Sequence, residues 1–362
     1  MASRPLLVLA FAVSAVLAGC GGTQGPCSGP PQDAFTTPPS KLSAWCILSR
    51  DGATVVPRAG AFAYTLNTPL FSDYSLKQRV VWMPRGTQAE YRADGPLELP
   101  VGSVVAKTFA YPRDLRRPTE DVRFIETRLL VRTEAGWLGL PYVWNADGTD
   151  ATYEPAGGFH DVRWTDSAGE ARGTSYLVPN KNQCRKCHQS GADEQLHLLG
   201  PTAAQLNRDV DSTEGQENQL SWLARVGFLS GAPSPDAAPR MARWDEPDSG
   251  TVAERARAYL DANCAHCHSE TGPARTTGLY LQASQRDPFR FGVCKTPVAA
   301  GAGSGGHAYD VLPGAPERSI LTYRMSSNDP KVAMPELGRS VVHQEGLALI
   351  EAWIRSLPGS CP

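Results

Sequence analysis

The chain has 362 residues, with 35 Lys and Arg against 37 Asp and Glu and a formal charge of −2. At 41% hydrophobic and 20% charged residues it has ordinary globular composition, long enough for two or three domains with their own cores. The near-neutral balance gives no basic surface for a phosphate backbone and argues against nucleic acid as a partner, while 34 Gly and 30 Pro without a repeat period exclude collagen-like and solenoid folds.

Residues 1–4 form a short positive segment and residues 5–18 an unbroken apolar run ending in Leu17-Ala18-Gly19-Cys20. The run is too short for a stable span and reads as the core of an export signal. Small residues before the cut and a Cys at the cut resemble a lipobox, so residues 1–19 are expected to be a signal peptide and Cys20 a lipidation site. Several acyl chains on one Cys anchor a protein stably. The expectation is an exported chain, lipid-anchored and facing the periplasm, with Gly21 after the Cys pointing to the outer membrane. Residues 20–40, rich in Gly, Pro, Ser and Thr, read as a flexible tether.

Residues 41–178 have a strand-like texture. Ile125, Thr127, Leu129 and Val131 alternate with Glu126, Arg128 and Arg132, a period of two. Thr133-Glu-Ala-Gly136, Asp147-Gly148 and Asp94-Gly95 supply turn signals, so antiparallel hairpins are expected. Trp82, Trp137, Trp144 and Trp164 fall here and read as core residues. After residue 179 the texture changes. Thr202-Ala-Ala-Gln205 and Thr251-Val-Ala-Glu254 fit the capping-box pattern, the second opening a helix that runs to Cys264. Leu347, Ile350, Ile354 and Leu357 recur at helical spacing before Pro358-Gly359.

The cysteines carry the chemistry. Cys184-Arg-Lys-Cys187-His188 and Cys264-Ala-His-Cys267-His268 are both C-x-x-C-H. Two Cys on one helical turn can add to the two vinyl groups of a haem, and the following His can then ligate iron. The alternatives are a zinc site built from the four thiols or a redox dithiol, and neither explains a His after both pairs. Two covalently attached haems c are therefore the expected cofactors, with His188 and His268 as iron ligands. Cys27, Cys46, Cys294 and Cys361 remain, an even number in an oxidising compartment. Of three connectivities, Cys27–Cys46 and Cys294–Cys361 are favoured. For the second iron Met334 is the expected distal ligand, ahead of Met325, because Pro335 biases its loop away from helix. For the first iron Met241 competes with His197 or an open position. His266 is expected to face solvent.

Several further stretches carry a resemblance. Asn67-Thr-Pro-Leu-Phe-Ser-Asp73, Glu126-Thr-Arg-Leu129, Tyr142-Val-Trp-Asn145 and Asn182-Gln-Cys-Arg-Lys-Cys-His188 resemble a family of bacterial diheme c-type cytochrome lipoproteins. The string from Arg257 to His268, with Leu312-Pro-Gly314 and Met334-Pro335, is similar to the haem domain of many bacterial cytochromes. The resemblance implies a multidomain α+β fold: an antiparallel β-rich domain (41–178), then mainly α-helical cytochrome c-like domains, with the first haem region at 179–250 and the second at 251–362. It implies electron transfer between redox partner proteins rather than a stand-alone enzyme. A haem-dependent oxidoreductase, such as a diheme peroxidase or the haem subunit of a dehydrogenase, is the alternative.

Overall fold

The computed structural model describes residues 27–189, 195–212, 214–298 and 300–362; the expected signal peptide and Cys20 lie outside them. The sheet region runs in chain order through β1 (Leu48–Asp51), β2 (Thr54–Pro57), β3 (Ala61–Ala63), β4 (Leu76–Trp82), β5 (Ala89–Glu90), β6 (Val104–Pro112), β7 (Val122–Thr133), β8 (Gly136–Trp144), β9 (Ala151–Tyr153), β10 (Gly158–Thr165) and β11 (Ala171–Val178). Six of these form one antiparallel sheet in the order β3-β4-β6-β7-β8-β9. The turns at residues 133–136 and 147–148 join β7 to β8 and β8 to β9. β1 with β2 and β10 with β11 form separate hairpins.

The central sheet is covered on both faces. On one, Val80, Trp82, Val104, Ala106, Leu129, Val131, Leu140 and Tyr142 pack against Ala34, Leu42, Trp45 and Ile47 from the start of the described chain. Residues 27–40 are thus not a free tether. The Cys27–Cys46 disulfide fastens them, Ala34 is buried, and the Pro39 carbonyl accepts from Tyr142 Oη at 2.8 Å. On the other face, one end packs Val81 and Val105 against Leu206, Leu220 and Leu223, and the other packs Phe109 and Ile125 against Trp164 and Tyr176. The stripe between these clusters is polar. Glu126, which alternation would put in solvent, is fully buried there.

The remaining elements are α1 (Cys184–His188), α2 (Ala203–Leu206), β12 (Asp209–Ser212), β13 (Gly215–Asn218), α3 (Gln219–Arg225), β14 (Leu229–Ser230), α4 (Val252–Leu260), α5 (Ile320–Ser326) and α6 (Gln344–Ser356). This corrects the expected fold class. The chain as a whole is β-rich with little helix, and its second half is not a pair of mainly α-helical domains. It has a β12–β13 hairpin, a β14 strand paired in parallel with β5, and short helices. The reason lies in the residues. The capping box of Thr251 and Glu254 starts α4 as expected, but the α-helix ends at Leu260 and passes into a π-turn, Asp261–Ala265, that carries Cys264. From there to Ile320 the described residues hold only short 3₁₀ turns, in a stretch punctuated by Pro273, Pro288, Pro297, Pro313 and Pro316 and by several glycines. Each such residue costs a helix interior about 1 kcal/mol for Gly and about 3 for Pro. α4, α5 and α6 close a core around Leu281, Phe291 and Met325, and the Cys294–Cys361 disulfide ties the C-terminus to it.

Residues 67–74 join the parts. Asn67 Nδ2 donates to the carbonyls of Ala204 (3.0 Å) and Asn207 (3.1 Å), and Thr68 Oγ1 to that of Ala242 (2.7 Å). The Phe71 amide donates to Asn263 Oδ1 at 2.8 Å, and Asp73 Oδ1 accepts from the amides of Ser340 (2.6 Å) and Val341 (3.0 Å). Asn67→Ala leaves the Asn207 carbonyl without a donor and the Ala204 carbonyl with the Met241 amide alone, and should cost about 2 kcal/mol. Chemical denaturation should show a lower midpoint at unchanged slope; an unchanged midpoint would refute this role for Asn67.

Candidate functional site

The first C-x-x-C-H motif is α1 itself. Asn180 and Gln183 exchange amide-to-side-chain hydrogen bonds of 2.8 and 2.9 Å just before it. α1 lies over the polar stripe of the sheet, and Gly139 on β8 permits the approach: a Cβ there would stand 3.0 Å from Cys184 Sγ. His188 is half-buried, and burial lowers its pKa. Its Nδ1 meets the His197 carbonyl at 2.9 Å, which fixes the ring and leaves Nε2 as the nitrogen that could ligate a metal.

The second motif starts in the π-turn after α4. Burial pushes the Cys264 thiol up to about 12. His268 has a buried Nδ1 without a hydrogen-bond partner among the described residues. Burial, with the Arg324 charge beside it, pushes its pKa down to about 4, and the Leu279 backbone pulls weakly the other way.

The fold brings the two motifs face to face. Cys267 Sγ lies 3.6 Å from the Lys186 carbonyl, and the Cys187 and Cys267 thiols share a hydrogen bond. That contact, with the His266 ring also bonded to Cys187, holds Cys187 well below its ordinary value. His266 therefore sits half-buried at this junction rather than in solvent. All four thiols are free.

Met334 is half-buried on a loop gathered to the same junction. Its amide donates to the Arg324 carbonyl (3.1 Å), and its own carbonyl accepts from Arg339 Nε (3.0 Å). The Arg324 charge bears on His268 and that of Arg339 on Cys264, while Glu336 lies 4.0 Å from Lys186. Met325 is buried in the α4–α6 core. Met241 is half-buried, its amide on the Ala204 carbonyl at 2.9 Å, in the stretch that packs against Thr68. Among the described residues no three His, Cys, Asp or Glu side chains converge as a metal-ligand set, so the four-thiolate zinc arrangement does not form.

Sequence reading missed the sheet face beneath α1. Arg79 on β4, Lys107 on β6 and Arg128 on β7 stand directly opposite one another in register, with Lys77 one pleat along. Arg128 pairs with the buried Glu126 (2.5 Å), which also accepts from Tyr176 Oη (2.6 Å). Lys107 Nζ and Arg128 Cζ lie 5.0 and 4.4 Å from the Phe109 ring centre. Burial and the neighbouring Arg79 push Lys77 down to about 7 and Lys107 well below its ordinary value. The sequence signal was present: Lys77 and Arg79 stand at alternate positions of β4, and Lys107 interrupts the mostly apolar β6.

Compared with known proteins, the chain matches no family model, no curated protein and no solved structure. The resemblance to the diheme c-type cytochrome lipoprotein family is therefore corrected. The fold is β-rich with short helices, its second half lacks the form of a cytochrome c domain, and no group of three metal-ligating side chains is gathered among the described residues.

His343 packs at the junction of residues 67–74 with α4 and α6. It stacks on Phe71 (centres 4.1 Å apart, 8° between planes), and its Nδ1 meets Tyr259 Oη at 3.0 Å. Burial holds its pKa down to about 4 from 6.5; the Glu345 carboxylate opposes this shift and Lys77 adds to it. The unfolded chain then takes up a proton that the folded chain does not. Stability is full above pH 6.5 and falls as pH drops towards 4, by about 3 kcal/mol. The difference between the pH–stability curves of wild type and His343→Gln should show this loss in that window; parallel curves would disprove it.

Proposed function

We propose that the chain is an exported, lipid-anchored electron carrier that holds two haems c through thioethers at Cys184 and Cys187 and at Cys264 and Cys267. The observation that carries this reading is the pair of C-x-x-C-H motifs with their four free thiols, Cys187 against Cys267. The residues suit such groups. Free thiols in C-x-x-C pairs suit addition to vinyl carbons, and each pair is followed by a half-buried imidazole that burial keeps unprotonated, the form that ligates iron. When bound, the haems supply reversible one-electron chemistry.

The protein's own contribution is positional. His197 holds the His188 ring through Nδ1, and Arg339 and Arg324 hold the Met334 loop by its backbone; Met334 would be the thioether available to the second haem. The meeting of the motifs favours transfer between two centres over two isolated ones. The partners would be redox proteins outside the inner membrane, with Cys20 as the anchor. Among the described residues no helix is long and apolar enough to cross a membrane.

Purified wild type should give two haems per chain in the pyridine haemochrome assay, and Cys264→Ala/Cys267→Ala one. A chain without covalent haem sinks the reading. Met334→Ala should lower one midpoint potential and leave the other in place, since an axial thioether raises potential; the same effect from Met325→Ala instead would reassign the ligand.

A further inference from the structure

The polar stripe under α1 carries more positive than negative charge. Its carboxylate, Glu126, is taken by Arg128 and Tyr176. Asp73, whose charge bears on Lys77, is engaged by the amides of Ser340 and Val341. Lys77 Nζ reaches only the Ser75 carbonyl (2.9 Å), Arg79 Nη1 only that of Lys77 (3.3 Å), and Lys107 only the Phe109 ring. Among the described residues none of the three makes an ion pair. Unpaired charges held away from water cost several kcal/mol each, and chains bury them where a counter-charge arrives.

The placement says where that counter-charge comes from. Arg128 bears on Cys184, and Lys107 on His188. From Arg128 the row runs to Lys107 and Arg79 across adjacent strands, about 5 Å per step, so it extends about 10 Å away from the first motif beneath the face that α1 covers. We propose that Lys77, Arg79 and Lys107 are the seat of the two propionate carboxylates of the haem attached at Cys184 and Cys187. This rests on the haem reading above and adds to it the side of the molecule on which that group lies. With two propionates seated there the lysines would hold their protons, and the three side chains would set up to three positive charges against two negative ones. The seat thereby stabilises the reduced state and keeps the propionates ionised.

The test uses the full chain purified with its haems, as wild type, as Arg79→Gln/Lys107→Gln, and as Arg79→Lys/Lys107→Arg. Both haems should remain attached in all three, because the thioethers depend on the cysteines. In the Gln pair one midpoint potential should fall and become steeper in pH near neutrality as a propionate pKa rises, and the propionate bands in resonance Raman should move. The charge-preserving pair should restore wild-type values, which separates charge from folding damage. Wild type with two haems and a Gln pair with unmoved potentials and Raman bands overturns the proposal alone. Wild type without haem overturns both. If added malonate stabilises wild type but not the Gln pair against heat, with potentials unmoved, the seat serves a free dicarboxylate and the proposal is wrong.

Discussion

Residues 67–74 are the contact on which the arrangement of the molecule depends. They spring from the edge of the central sheet, between β3 and β4, and spend their polar groups on three separate segments. Asn67 and Thr68 hold the stretch around α2 and Ala242, the Phe71 amide holds Asn263 next to Cys264, and Asp73 holds the backbone at Ser340 and Val341 behind Met334. Asp73 and Tyr74 take positive φ values of 49° and 60°, a conformation that costs a non-glycine residue energy and persists only when its surroundings over-determine it. Here the amides of Ser340 and Val341 and the Glu345 carboxylate, which accepts from Tyr74 Oη at 2.7 Å, do that. The second motif and the Met334 loop are thus fixed against the sheet that bears the first.

The sheet sets the other constraint. Both faces carry packed clusters, and the middle of one is lined by Arg79, which is buried, and by Lys77, Lys107 and Arg128, which are half-buried. An apolar stripe would have packed there at less cost. The row lies instead between two apolar clusters, opposite a helix of five residues that contributes thiols and an imidazole. The absence of a side chain at Gly139 lets Cys184 approach the sheet, where a Cβ would stand 3.0 Å from its sulfur.

Much of this was legible in the residues, and the failures have physical causes. The hairpin turns, the Thr251 cap and the helical spacing of Leu347, Ile350 and Ile354 all correspond to observed elements, because each rests on local chemistry. The β7 alternation marks two faces but not that the polar one is covered, since period two reports two faces and not what packs on them. A helical second half was expected from caps at two points, yet caps start helices without sustaining them through Pro and Gly. The clustering of the two C-x-x-C-H motifs needed long-range contacts, 81 residues apart at Lys186 and Cys267, that no local pattern encodes.

Short helices have a consequence for order. Five helical residues without a buried member, as in α1, fall far below the length at which helix formation sustains itself in water. α1 is instead held from outside, by the Asn180–Gln183 exchange before it, the His188–His197 pair after it and the Gly139 surface beneath it. The α4–α6 core compensates similarly, closing its tail with Cys294–Cys361, a loop of 67 residues whose cross-link removes several kcal/mol of unfolded-state freedom. On the proposed reading a covalently held group would act on α1 as that disulfide acts on the tail, converting attachment into local folding free energy. The charges waiting on the sheet face then serve twice, orienting the group and ordering the segment that carries it.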